Sequence, residues 1–269
     1  MTTRSHTAYR STSHMAPDRP LLGIWAHPDD EAYLSAVLMA RARREGRRVV
    51  VVSATRGEQG APDPVASPPQ RLARRREREQ KHSLRILGVR EHRWLGYRDG
   101  ELAEADASTA SARIAALIKG IRPATIVTFG PDGLTGHADH RAVSSWVSGA
   151  CRQAAFSGQL WHATLTEDFH RRWGGLSSRL GVWMDLRVVP STPAHTLVHQ
   201  VVCDEPESRL KLAALRAHAS QTDALIEEVG EEVYRRWWST ESFVAAPRRD
   251  QPHDPAPQPY AVAEPDLQP

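Results

Sequence analysis

The chain has 269 residues, 40% of them apolar, enough for one large α/β domain with a real core or two modest ones. Lys and Arg number 35 against 32 Asp and Glu, a balance too even to argue for a nucleic-acid partner or an anionic membrane surface. No window approaches the roughly 18 apolar residues of a membrane span, the N-terminus lacks an apolar signal segment, and Cys151 and Cys203 form no C-x-x-C pair. A soluble, cytoplasmic protein without a disulfide framework or thiolate metal site is therefore expected.

Residues 1–19 carry no hydrophobic period and are expected to form a disordered tail. A single domain is expected over residues 20–245. It opens with an apolar run at 21–26 that reads as a buried strand, followed by a helix at 31–44 that Gly46 stops. Residues 48–53 are β-branched and continuous, as in a strand covered on both faces. A helix at 70–87 ends at Gly88. Its basic run Arg71-Leu72-Ala73-Arg74-Arg75-Arg76-Glu77-Arg78 reads as a solvated face. Then come a short strand at 92–95, a helix at 111–121 closed by Pro123, a strand at 124–129, a helix at 138–154 and a strand at 160–165. This alternation predicts an α/β fold, a Rossmann-like and mostly parallel sheet with helices on both faces. Beyond it, 167–193 reads as irregular, with Trp173 and Trp183 read as core packing in preference to a stacking platform for a sugar. Residues 195–203 read as an edge strand and 206–220 as a helix. The proline-rich segment 246–269 reads as a second disordered tail.

In a doubly wound sheet, ligands gather beyond the carboxyl ends of the strands. Four consecutive strand ends carry the chain's chemistry: Ala26-His27-Pro28-Asp29-Asp30-Glu31, Thr55-Arg56-Gly57-Glu58, Gly96-Tyr97-Arg98-Asp99-Gly100 and Gly136-His137-Ala138-Asp139-His140. His27 and Asp30, three residues apart on a turn entering a helix, suit Zn²⁺, with Fe²⁺ or Co²⁺ as alternatives. Standing alone, the same turn reads as a helix N-cap. One turn cannot complete a metal site, and His140 on the same rim is the candidate third ligand. Three protein ligands leave a position open, as catalytic zinc sites require. Asp29 is then the candidate general base and His137 the candidate oxyanion stabiliser or proton donor. Asp139 joins the catalytic set by orienting one of the imidazoles. A dinucleotide-binding reading fails because His-Pro-Asp-Asp stands where G-x-G-x-x-G is needed, and its carboxylates would repel a pyrophosphate.

With these motifs, together with Arg76-x-x-Glu79, Leu95-Gly96-Tyr97-x-Asp99-Gly100 and Lys211-x-x-Ala214-x-x-x-His218-x-Ser220-Gln221, the chain resembles the LmbE/PIG-L family of zinc-dependent N-acetylglucosaminyl deacetylases over roughly residues 20–243. The resemblance implies hydrolysis of a linear amide, namely removal of an N-acetyl group from a glucosamine-containing small molecule. His27, Asp30 and His140 would bind zinc, Asp29 would act as base and His137 would stabilise the tetrahedral intermediate. Glu58, Arg76 and Asp99 would lie near the sugar hydroxyls, and His218 matches a family position whose role is open. Two alternatives stand beside this reading: an amidase of the same family acting on a larger acyl group or a thiol-conjugate amide, and a catalytically silent sugar-binding module.

Overall fold

The computed structural model describes residues 19–61 and 63–247. The two expected tails lie almost entirely outside the described residues. The described residues at their inner ends are tied down, since Arg19 donates to the carbonyl of Pro123 (3.1 Å) and the Ala246 N–H to that of Leu160 (2.9 Å).

The sheet contains β1 (Leu21–Trp25), β2 (Val49–Ser53), β3 (Glu91–Trp94), β4 (Thr125–Phe129), β5 (Gln159–Thr164), β6 (His199–Val202) and β7 (Thr240–Ala245), in the order β3-β2-β1-β4-β5-β7-β6. The first five strands run parallel, whereas β7 is antiparallel to both β5 and β6. The parallel sheet is as expected, and β6 occupies an edge as expected. The chain winds outward from β1 to β3 and then returns to the other side of β1 as β4. Leu21 pairs with both Val49 and Thr125, so β1, β2 and β4 are in step. The loops leaving β1 and β4 depart in opposite directions at this reversal and open a crevice between them. That crevice is where the first and fourth motifs meet.

The helices are α1 (Asp30–Leu34), α2 (Ala36–Arg44), α3 (Pro69–Ile86), α4 (Ala107–Ile121), α5 (Ala138–Gln153), α6 (Glu167–Arg179), α7 (Glu205–Arg216), α8 (Ala219–Val229) and α9 (Glu231–Trp237). α4 packs on α5, while α2 and α3 pack with α7. The change of winding direction places these two groups on opposite faces of the sheet. Among the described residues no helix is long and apolar enough to cross a membrane.

Three differences from the sequence reading have physical causes. The region 167–193 is not irregular throughout: α6 forms because the Thr166 side chain caps it by accepting from the Phe169 N–H. Trp183 is buried and Trp173 packs against the core. The helix expected at 31–44 is broken at Ser35, where Glu241 of β7 inserts its carboxylate and accepts the N–H groups of Val37 and Leu38 (2.9 Å each). Those donors begin α2 and have no partner within the helix. Lys211 of α7 balances the charge, with Nζ 2.9 Å from Glu241 Oε1 and donating to the Tyr33 carbonyl (2.6 Å). Finally, the helix expected at 206–220 ends at Arg216, and α8 starts afresh after His218.

Lys211 and Glu241 are each no more than 2% exposed. Removing one partner strands the other charge in the interior, at a cost of about 3–5 kcal/mol. Lys211→Ala is expected to lower the urea midpoint of unfolding accordingly with little change in slope, whereas exposed Arg98→Ala leaves it in place.

Candidate metal centre and active site

The turn after β1 delivers His27 and Asp30 together. The Asp30 carboxylate accepts the His27 N–H (2.8 Å), so the two side chains point the same way. His140 arrives from the first turn of α5, its ring stacked 4.0 Å from that of Phe129 at the end of β4. His27 Nδ1 lies 3.2 Å from His140 Nε2, His140 Nε2 3.4 Å from Asp30 Oδ1, and His27 Nδ1 3.8 Å from Asp30 Oδ2. One ligand atom from each of the three residues lies within 4.8 Å of the others, and the two imidazole nitrogens are near the roughly 3.4 Å that separates neighbouring ligand atoms around a tetrahedral zinc. All three residues are buried.

The nitrogens turned away from the triangle are spoken for. His140 Nδ1 lies 3.0 Å from the Gly133 carbonyl, which takes its proton and leaves Nε2 as a lone pair. His27 Nε2 lies 2.9 Å from Asp99 Oδ1 and 3.2 Å from Asp139 Oδ2, which leaves Nδ1 turned toward His140 and Asp30. Histidine ligands to metals are commonly held in this way. Burial disfavours a charged His27, but hydrogen bonds to Asp139 and Asp99 and the charge of Asp30 outweigh it and raise its pKa to about 10. Burial raises Asp30 to about 7 despite the nearby His27. Burial also drives His140 well below the ordinary histidine range, with repulsion from His27 and His137 adding to it. A metal ligand must be a neutral imidazole, so metal binding at His27 would be coupled to loss of a proton.

Asp29 stands beside this triangle in a backbone conformation that L side chains rarely adopt, φ 113°. Its carboxylate lies 3.2 Å from the Arg76 guanidinium, which also donates to the carbonyls of Pro28 (2.6 Å) and Gly57 (2.9 Å). Burial pushes the Asp29 carboxyl above its usual range, opposed by Arg76, His218 and His27. His137 caps α5 and accepts the Asp139 N–H at Nδ1 (3.1 Å), so the proton of its neutral ring is on Nε2. Burial, then repulsion from His27, holds this ring below the ordinary range.

The nine sequence-derived site residues therefore gather at one crevice, in arrangements the sequence did not disclose. The Asp139 side chain is wholly buried, accepting from Gly100 N–H (2.8 Å), Leu102 N–H (3.1 Å) and His27. It orients His27, and only its backbone meets His137. Asp99, expected beside the sugar, has one oxygen on His27 and the other on the Gln59 N–H (2.8 Å). Glu58 accepts the Asp99 N–H (3.1 Å). Arg76, drawn from a run read as solvated, is 3% exposed and joins the first and second motifs from beneath. Gly57, at φ 66°, has no room for a side chain because a Cβ there would collide with Arg76. Gly133 was missed as a ligand-orienting carbonyl. Its glycine-rich turn was the available signal.

Comparison with known proteins follows the same lines. The family profile described as PIG-L, GlcNAc-PI de-N-acetylase, matches residues 22–151. The chain is 31% identical over 247 residues to the 1D-myo-inositol 2-acetamido-2-deoxy-alpha-D-glucopyranoside deacetylase of Streptomyces avermitilis, covering 77% of this chain and 84% of that protein. Among solved structures it is similar to the N,N'-diacetylchitobiose deacetylase from Pyrococcus horikoshii, with TM-score 0.60, 23% identity, and 85% and 84% of the two chains covered. It is also similar to GalB, the 4-carboxy-2-hydroxymuconate hydratase of Pseudomonas putida KT2440, with TM-score 0.56, 14% identity, and 87% and 99% covered. These two structural likenesses are likenesses of fold. With the sequence relationship, they define the class: the chain belongs to the PIG-L/LmbE family.

Asp139 orients the His27 ring, so if His27, Asp30 and His140 hold the metal, as the resemblance implies, Asp139→Ala is expected to keep the fold and weaken metal affinity by about 10- to 100-fold. Competition with a chromophoric chelator measures this. Affinity equal to wild type would show that the Asp139–His27 contact contributes nothing to the site.

Proposed function

We propose that the protein removes the N-acetyl group from a glucosamine-containing small molecule. The observation that carries this reading is the donor triangle of His27, Asp30 and His140 with Asp29 at its side, in a chain related along most of its length to a named deacetylase of such a compound. A divalent ion held by those three residues would supply Lewis-acid chemistry, polarising the amide carbonyl and easing deprotonation of the attacking water. Zn²⁺ suits two imidazoles and a carboxylate, with Fe²⁺ or Co²⁺ as alternatives.

The remaining work falls to the chain's own groups. Asp29 takes the proton of the attacking water, and its buried setting makes it a stronger base than an exposed carboxylate. His137 donates a hydrogen bond from Nε2 to the carbonyl oxygen as negative charge develops there. The proton held by Asp29 then goes to the departing amine, leaving acetate and the free amino sugar. Asp99 and Asp139 keep the His27 ring in place throughout. Glu58, at the mouth of the second motif, is the sugar contact that the arrangement favours. The two unpaired cysteines support a reducing, cytoplasmic setting.

Asp29→Asn is expected to retain metal at wild-type stoichiometry while lowering acetate release by about 10²- to 10⁴-fold. The assay uses a panel of N-acetylglucosaminyl pseudodisaccharides beside their longer N-acyl analogues. Unimpaired turnover by Asp29→Asn would remove this mechanism, and faster release of the longer acyl groups would move the substrate class.

A further inference from the structure

α3 presents four polar residues along one buried face, Arg76, Glu79, Gln80 and Ser83, spaced as neighbours on a helix surface. Arg76 grips the Asp29 turn, as described. One turn further on, Glu79 accepts the Ser220 N–H (3.0 Å) and its hydroxyl (2.5 Å). This fixes the α7–α8 turn against α3. His218 belongs to that turn, and its backbone is locked there: its N–H donates to Leu215 (2.9 Å), and its carbonyl accepts from Gln221 (2.8 Å) and Thr222 (3.1 Å).

The His218 ring is thereby carried into the interior, where it is wholly buried. Its Nε2 lies 3.6 Å from Oε1 of Glu31, a carboxylate that is also wholly buried. Neither Glu31 oxygen and neither His218 nitrogen has a hydrogen-bond partner at ordinary length. Burying such groups without partners is unfavourable, and the groups that face the Glu31 carboxylate are His218 and, from α3, Gln80. Glu31 is two residues from Asp29, in the helical turn whose first N–H groups, those of Ala32 (2.8 Å) and Tyr33 (3.0 Å), close on the Asp29 carbonyl. A strained residue keeps its conformation only when its surroundings over-determine it. Arg76 is one anchor of the Asp29 turn, and the His218–Glu31 contact is a second.

We propose that His218 is a positioning residue for Asp29: by anchoring Glu31, it holds the preceding turn at positive φ with the Asp29 carboxylate on Arg76, and so aims the base. The kinetic part of this proposal rests on the role given to Asp29 above; the geometric part does not.

The test compares wild type, His218→Ala and His218→Gln by crystal structure, metal content and steady-state acetate release. In His218→Ala, Asp29 is expected to leave Arg76 and relax toward negative φ. Its kcat should fall by about 30- to 100-fold, the scale of a misplaced catalytic group, with KM within twofold and metal stoichiometry unchanged. His218→Gln, which can still hydrogen-bond to Glu31, should recover most of that loss. Should His218→Ala not fold, His218→Leu, similar in bulk but without a polar atom, takes its place with the same expected displacement. An Asp29 that keeps its conformation and its Arg76 contact in the alanine or leucine variant overturns the proposal, as does a fall in kcat that merely tracks lost metal. If wild type releases no acetate, the deacetylase reading fails, while the position of Asp29 in the variant crystals still decides the role of His218.

Discussion

The constraint on which the rest of the structure depends is the burial of acid. Asp30, Glu31, Asp99 and Asp139 are all buried at the carboxyl edge of the sheet, with Asp29 beside them. A carboxylate removed from water needs a cation, a ring of N–H donors or a proton. Each of these acids has its own answer. Asp139 takes two backbone N–H groups and His27, Asp99 takes His27 and the Gln59 N–H, and Asp29 takes Arg76. Glu31 faces His218, and Asp30 takes the His27 N–H and is left facing two imidazoles in a pocket whose net demand is for positive charge. That demand is what suits the crevice to a cation.

The same constraint explains α3. By its composition this helix is charged along most of its length, and its exposed face is as solvated as such composition suggests. Its inward face is polar too, because what it packs against is the underside of the acid cluster and not only an apolar sheet. Arg76 and Glu79, three residues apart, meet different parts of the chain: the turn after β1 and the turn before α8. One helix therefore couples the catalytic turn to the C-terminal third of the molecule.

The fold by itself leaves the chemistry open. A hydratase and a deacetylase resemble this chain's architecture to nearly the same degree. What favours deacetylation is the donor triangle with a spare carboxylate at its side, together with the sequence relationship. Function resides in the site carried by the scaffold.

Much of the architecture was legible in the sequence because it depends on local pattern. The β-branched run at 49–52 and the alternation of strands with helices required a parallel sheet. The placement rule for such sheets is enough to bring His27, Asp30 and His140 to one rim. Other features were set by partners far away in the chain. Only the tertiary structure could show that Glu241 ends α1 and starts α2, that Asp99 serves His27, that Arg76 is buried, or that His218 faces Glu31. Each of these joins residues tens to hundreds of positions apart, through one hydrogen bond or ion pair that leaves no periodic trace. Sequence by itself determined which strand ends share the crevice, because strand order and hydrophobic period are repeated signals. Tertiary structure decided which atom of each residue faces the crevice, because that choice depends on which groups the burial of charge leaves unpaired.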